Sequence, residues 1–263
     1  MNIDRIPVDK LGVMAEFVIA EIQADPSQYV MALVDHLFLY EQSDIFSRWP
    51  GEKPSVFNLY DHLSGGEERI SPLLIPLPSA PDDQLSVILY LLKRCNTYPM
   101  LSIMTSTLEP QEIAPHLASL TSILLPPDLA PSLLRFADTR VVPTLHRLLD
   151  PTQRSQLFGL FDCWAYINRN AEWAFIKGNC LADIPLSDPM RLSDAQFEAL
   201  LQSSEPDNFI LTLRENSAAF SELPPSVQYR QVCHWIDTAN EAASGEIQPG
   251  ERFAYCLTRL PSL

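Results

Sequence analysis

LLIPLPSAPDDQLSVILYLLKRCNTYPMLSIMT, residues 73–105, holds three successive elements in thirty-odd positions. Leu73-Leu-Ile75, closed by Pro72 and Pro76, is too short for a stable helix and reads as a strand. From Gln84 to Cys95, Leu85, Ile88, Leu89, Leu92 and Cys95 recur at helical spacing. Val87 and Leu91 broaden the stripe, so this helix is mostly buried. Met100 to Thr105 is a further strand, which makes the stretch strand, helix, strand and points to a mixed α/β fold.

Upstream, Tyr29-Val-Met-Ala-Leu-Val-Asp-His-Leu-Phe38 is an apolar run in which a strand from about Tyr29 to Val34 is favoured over the start of a helix. Asn58-Leu-Tyr-Asp61 before Ser64-Gly-Gly66 reads as a short element and a turn. Downstream, Thr107 is placed to cap a helix along which Ile113, Leu117 and Leu120 share a side. Ser132-Leu-Leu-Arg-Phe-Ala-Asp138 is the next strand, and Val141 to Leu149 is helical. Asp150-Pro-Thr-Gln153 supplies an N-cap, a proline at the first helical position and a capping-box glutamine. The α/β pattern ends near residue 175, after Phe161, Trp164, Tyr166 and Trp173.

The character changes after Asn179. Ser193-Asp-Ala-Gln196 is a second capping box, opening a helix with Phe197, Leu200 and Leu201 on its apolar face. Ile210 to Leu213 begins another helix reaching toward Phe220. Val227 to Ala243 is a long helix, with Tyr229, Val232, Cys233, Ile236 and Ala243 on one face and Gly245 as its stop. The expected architecture is therefore an α/β lobe over residues 1–178 and a mainly α-helical C-terminal lobe over 179–263. The 23 prolines divide the chain into short elements joined by stiff links.

With 18 Lys plus Arg against 33 Asp plus Glu, the formal charge is −15. Such a surface repels phosphate backbones and anionic lipids, so neither nucleic acid nor membrane is expected as a partner, while a basic protein fits. No run reaches the roughly 18 to 20 apolar residues of a membrane span. The opening Met1-Asn-Ile-Asp-Arg has mixed charges and no signal-peptide pattern. Cys95, Cys163, Cys180, Cys233 and Cys256 are an odd, scattered set that reads as free thiols in a reducing compartment. A cytoplasmic location is expected.

No catalytic motif emerges, and no cofactor or metal is expected. His36, His62, His116, His146 and His234 make no ligand array, and Cys233 beside His234 is no dyad because neighbouring helical side chains diverge. Asp82 and Asp83, and Glu67 and Glu68, read as solvated acids. Gly65 and Gly66 read as a turn without the lysine of a phosphate loop. Arg135-Phe-Ala-Asp-Thr-Arg140 stands out: Asp138 is placed to cap the next helix, while Arg135 and Arg140 pair with carboxylates or meet a partner. Trp164, Tyr166 and Trp173 combine core character with the residue types of interface anchors.

Four segments taken together resemble a known family. They are Ala32-Leu-Val-Asp-His-Leu-Phe38, Ile113-Ala-Pro-His-Leu117, Leu134-Arg-Phe-Ala-Asp-Thr-Arg-Val-Val142 and Leu192-Ser-Asp-Ala-Gln-Phe-Glu-Ala-Leu200, with the final helix and Arg252-Phe-Ala254 behind them. The chain is similar to a bacterial domain-of-unknown-function family of type VI secretion effector adaptors, or chaperones. The central family form is Arg-Phe-Tyr-Asp-Pro-Arg followed by Val, which Arg135, Phe136, Asp138, Arg140 and Val141 match and from which Ala137 and Thr139 depart. The resemblance implies a non-enzymatic protein that binds a cognate toxic effector and promotes its loading onto the VgrG spike. It implies an α/β lobe coupled to a helical lobe, with Arg135, Phe136, Asp138, Arg140, Trp164, Tyr166 and Trp173 as organisers or anchors of a partner surface. The other expectations weighed are a small-molecule enzyme with an assembled site and an antitoxin-like inhibitor.

Overall fold

The strands expected near Tyr29, Leu73 and Met100 lie side by side in one antiparallel sheet. In the computed structural model, which describes residues 3–22, 27–39, 45–63, 70–181, 184, 189–243 and 247–261, β1 (Tyr29–Asp35) lies between β3 (Pro72–Pro76) and β4 (Leu101–Ser106). β2 (Phe57–Asn58) adds to β3, while β7 (Cys163–Ile167) and β8 (Trp173–Lys177) follow β4, giving the six-stranded order β2-β3-β1-β4-β7-β8. The turn expected at Ser64, Gly65 and Gly66, the acids Glu67 and Glu68, and the stop at Gly245 lie outside the described residues.

Strand alternation divides the core into two layers. Ala32, Val34, Ile103, Ala165 and Ile167 face α1 (Leu11–Ile22) and α2 (Pro81–Arg94). Met31, Leu33, Met104, Trp164 and Tyr166 face α3 (Pro110–Leu120), α4 (Val142–Leu148) and α5 (Pro151–Phe158). Because side chains alternate across a strand, a sheet covered on both faces needs apolar residues at consecutive positions, which is why β1 reads as an unbroken apolar run from Tyr29 to Val34. A two-stranded arm, β5 (Ser122–Leu125) with β6 (Ala130–Leu133), projects after α3.

Among the described residues, the C-terminal part is formed by α6 (Asp194–Asn216), α7 (Ala218–Ser221), α8 (Pro225–Ala242) and α9 (Pro249–Thr258). Their small core contains Ile210, Leu213, Phe220, Val232, Ile236 and Cys256. Leu200, near the start of α6, packs instead against the α3–α5 layer, so a single helix belongs to both cores.

The two capping boxes fix that junction. Gln153 Oε1 accepts the Asp150 N–H (2.9 Å), and Gln196 Oε1 accepts the Ser193 N–H (2.9 Å). Gln196 Nε2 then donates to Gln153 Oε1 (2.6 Å) and to the Leu148 carbonyl (3.0 Å), while Gln153 Nε2 donates to the Arg191 carbonyl (2.7 Å). Groups that ordinarily satisfy one helix start here join the starts of α5 and α6.

Three local expectations are corrected. Glu109, not Thr107, is the N-cap of α3: Pro110 takes the first helical position, and Glu112 Oε2 accepts the Glu109 N–H (2.9 Å). The strand expected over Ser132–Asp138 stops at Leu133, because the chain then turns twice, with Asp138 N–H bonded to the Arg135 carbonyl and Val141 N–H to the Asp138 carbonyl. The helix expected to begin at Ile210 is the continuation of α6 through Pro206. Proline there removes a helical donor, and Ser203 and Ser204 turn their hydroxyls onto the Leu200 and Leu201 carbonyls beside it.

Candidate functional site: a cleft between the lobes

The turn from Arg135 to Arg140 starts a chain of ion pairs that crosses from the sheet to the helices. Arg135 Nη2 donates to Asp35 Oδ2 at the end of β1 (2.7 Å) and stands 3.9 Å from Asp138 Oδ2. Asp138 is buried and accepts three bonds from Arg140: backbone N–H (3.1 Å), Nε (3.0 Å) and Nη2 (2.7 Å). The Asp138 carboxylate therefore organises its own turn, while Val141 occupies the N-cap position of α4. Arg140 Nη1 then approaches Asp207 Oδ1 on α6 (3.8 Å). Asp207 is held in a two-pronged pair by Arg169 of the β7–β8 turn (2.9 and 2.7 Å). Arg169 finally lies over the Tyr229 ring of α8, 3.7 Å from its centroid.

Each charge is set by its neighbours. Burial, helped by the charge of Asp138, raises the pKa of Asp35 against the lowering pull of Arg135. Burial opposes the charge of Arg140, yet hydrogen bonds and charge from Asp138 raise its pKa above the ordinary guanidinium value. Tyr229 is pushed up to about 12 by burial, with Cys233 adding to the effect, so its ring stays neutral beneath Arg169. Arg135 and Arg140 also sit over the Phe38 ring, at 5.3 and 5.7 Å. Three arginines and three aspartates balance, and the chain of pairs holds the lobes in register.

Around this chain opens a cleft of about 1430 Å³ whose walls come from both lobes. Tyr166 and Ala174 contribute from the sheet, Pro143 and Arg147 from α4, and Leu201 and Phe209 from α6. Tyr229, Cys233 and Ile236 of α8 and Arg252 of α9 line the remainder. Arg252 is anchored by a two-pronged pair to Glu205 (2.8 Å each), which ties α9 to α6. A smaller hollow of about 430 Å³ adjoins it, sharing Arg140, Arg169 and Leu201. Leu133, Leu201 and Leu211 line that hollow while 53%, 49% and 55% exposed, forming an apolar edge.

The sequence-selected residues separate into distinct roles. Arg135, Asp138 and Arg140 join in the ion chain, and Arg140 reaches the cleft. Phe136 drives in the opposite direction, into the core, edge-on to Trp164 at 6.4 Å. Trp164 is 1% exposed and also meets Phe158 and Phe161, each at 5.2 Å, so it is core. Tyr166, two positions on along the same face, lines the cleft. Trp173 lies on the other face of the sheet and donates Nε1–H to the Met14 carbonyl (2.9 Å). Thus only Tyr166 of the aromatic trio reaches the space between the lobes. The sequence reading missed Asp207, Arg169, Phe209 and the pairing of Tyr229 with Arg169. Their partners are far away along the chain, and no local pattern marks them.

Among the described residues, no group of three or more His, Cys, Asp or Glu is arranged to hold a metal ion, and no helix is long and apolar enough to cross a membrane. His116 bonds the Gln156 carbonyl through Nε2 (2.6 Å), and His146 stacks edge-on to Phe158 (5.5 Å).

No curated protein and no solved structure gives a significant match to the chain. Residues 30–156, running from β1 almost to the end of α5 and including the whole Arg135–Arg140 turn, match the model of a domain of unknown function, DUF4123.

Proposed function

We propose that this protein is a type VI secretion adaptor that holds a segment of a cognate toxic effector between its lobes and promotes its loading onto the VgrG spike. The observation that carries the reading is the interlobe cleft, open over about 1430 Å³ and continued by the apolar edge of Leu133, Leu201 and Leu211. The family match over residues 30–156 and the resemblance of the Arg135–Val141 segment support the secretion context.

In this reading the protein works by binding rather than catalysis. The leucine edge and the rings of Tyr166 and Phe209 bury apolar side chains that an unloaded effector exposes. Arg147, Glu198 and Asp237 along the cleft set which partner is accepted, because a mismatched charge left unpaired on closing costs affinity. The ion chain keeps the two walls at a fixed spacing, so little ordering is required on binding.

The test is affinity purification of the protein from cells that express a type VI machine, with mass spectrometry and reconstitution from purified components. Recovery of a toxin-like protein, and of a spike protein dependent on it, is the expected result. Leu201→Glu and Leu211→Glu together should abolish recovery while leaving the fold intact. Equal recovery by the double variant removes the leucine edge from the account, and reproducible absence of both partners removes the adaptor reading.

A further inference from the structure

β8 ends the strand order, and among the described residues no strand pairs with its far side. The ladder phase follows from two bonds, Asn168 N–H to the Glu172 carbonyl and Gly178 N–H to the Asp162 carbonyl. With Tyr166 opposite Ala174 and Trp164 opposite Ile176, the residues of β8 bonded to β7 are the even-numbered ones. The N–H and C=O groups of Trp173, Phe175 and Lys177 therefore point away from β7, along the open edge.

Other sheet edges are blunted. β2 is only two residues long, and in β6 Pro131 takes one of the outward positions and brings no donor. β8 contains no proline, and its one charged side chain is Lys177, exposed at the end of the strand.

Beside this edge α1 supplies a wall. Trp173 bonds the Met14 carbonyl, and Phe17 meets Phe175 edge-on at 6.1 Å, so the helix runs along the strand. Val13 and Phe17, one helical turn apart, are 66% and 47% exposed, and Glu16 and Glu21 are exposed on the same helix. A β-edge with an apolar wall and nearby acids fits one kind of occupant.

We propose that the β8 edge accepts an extended segment of a partner protein as a seventh strand, with alternate apolar side chains against Phe17 and Val13 and a lysine or arginine meeting Glu16 or Glu21. Main-chain pairing to Trp173, Phe175 and Lys177 supplies affinity, and the α1 wall supplies choice of side chain. Charge complementarity favours a basic segment, since the protein carries a formal −15. The inference stands apart from the cleft reading, because it uses the outward backbone of β8 and not the leucine edge.

The experiment titrates the full-length, ¹⁵N-labelled protein with an eight-residue peptide that alternates valine and threonine and carries lysine at both ends. Amide exchange is read residue by residue. In the free protein the amides of Trp173, Phe175 and Lys177 should exchange faster than those of Ala174 and Ile176. Peptide should slow all three by about tenfold or more, and N-methylation of alternate peptide residues should weaken binding about tenfold. Lys177→Pro, which removes one outward donor at an exposed edge position, should also weaken binding. If that variant does not fold, the N-methylated peptide still decides the matter. Absence of binding at millimolar peptide, equal binding of the N-methylated peptide, or protection elsewhere overturns the proposal. Protection of the same amides that grows with protein concentration alone overturns it too, in favour of edge pairing between two copies.

Discussion

Asp207→Asn removes the one carboxylate that two arginines from the α/β lobe share on α6. Asparagine keeps the shape and one acceptor but leaves Arg169 without its counter-charge and Arg140 with Asp138 alone on the α/β side. Breaking a buried pair by removing one partner costs about 3–5 kcal/mol. The side chains of Asp207 and Arg169 retain 23% and 21% exposure, so water compensates part of the loss and about 2 kcal/mol is the expected cost. For a chain of this size that lowers Tm by about 4–8 °C. Arg169→Met should cost a similar amount, since it leaves Asp207 facing only the 3.8 Å contact with Arg140. The double variant removes both charges, so its cost should fall short of the sum by about 1.5 kcal/mol. Urea denaturation followed by far-UV circular dichroism and by fluorescence, with Trp49, Trp164 and Trp173 in one lobe and Trp235 in the other, measures all four proteins. Additivity within about 0.5 kcal/mol would falsify the claim that this pair couples the lobes.

Three other outcomes follow from the packing. Burial depresses the pKa values of His116 and His146, so the unfolded chain takes up these protons first. The stability they confer is present above about pH 6.5 and is lost as pH falls through the folded values. His116→Gln should flatten the fall in urea midpoint below pH 6.5, and an unchanged slope would exclude His116 as a source. Asp4 accepts the Ser226 N–H (2.8 Å) and hydroxyl (2.6 Å) at the start of α8, so Asp4→Ala should cost about 1 kcal/mol by denaturation. Phe136→Ala should cost about 3–5 kcal/mol, whereas Leu201→Ala, at an exposed position, should stay within about 0.5 kcal/mol. Reversal of that order in denaturation midpoints would contradict the separation of core from cleft.

Elements governed by local chemistry were legible from sequence. The capping boxes at Asp150 and Ser193 start α5 and α6, and the short apolar runs near Tyr29 and Leu73 are strands. Helix α1 went unread although Leu11, Ala15, Val18 and Ile22 carry a helical spacing, because exposed Val13 and Phe17 blur the contrast between its faces. The separate helix expected from Ile210 is part of α6, which continues through Pro206. Arg135 and Arg140 pair with carboxylates, one of the two roles expected of them, whereas Asp138 holds Arg140 instead of capping α4. The partner of Arg135, Asp35, lies a hundred positions earlier, and no periodicity connects the two. The same holds for Arg169 and Asp207, which only the folded chain brings together. Trp164 and Trp173 were grouped by proximity in sequence, whereas the alternation of adjoining strands sends them to opposite faces of the sheet.

The most direct measurement is hydrogen exchange on the protein alone and in complex with the partner recovered by affinity purification. The account expects slowed exchange at residues 139–147, 198–209 and 229–240, which line the two walls of the cleft. A stable complex in which these segments exchange as in the free protein, with protection confined to other surfaces, would contradict a partner held between the lobes.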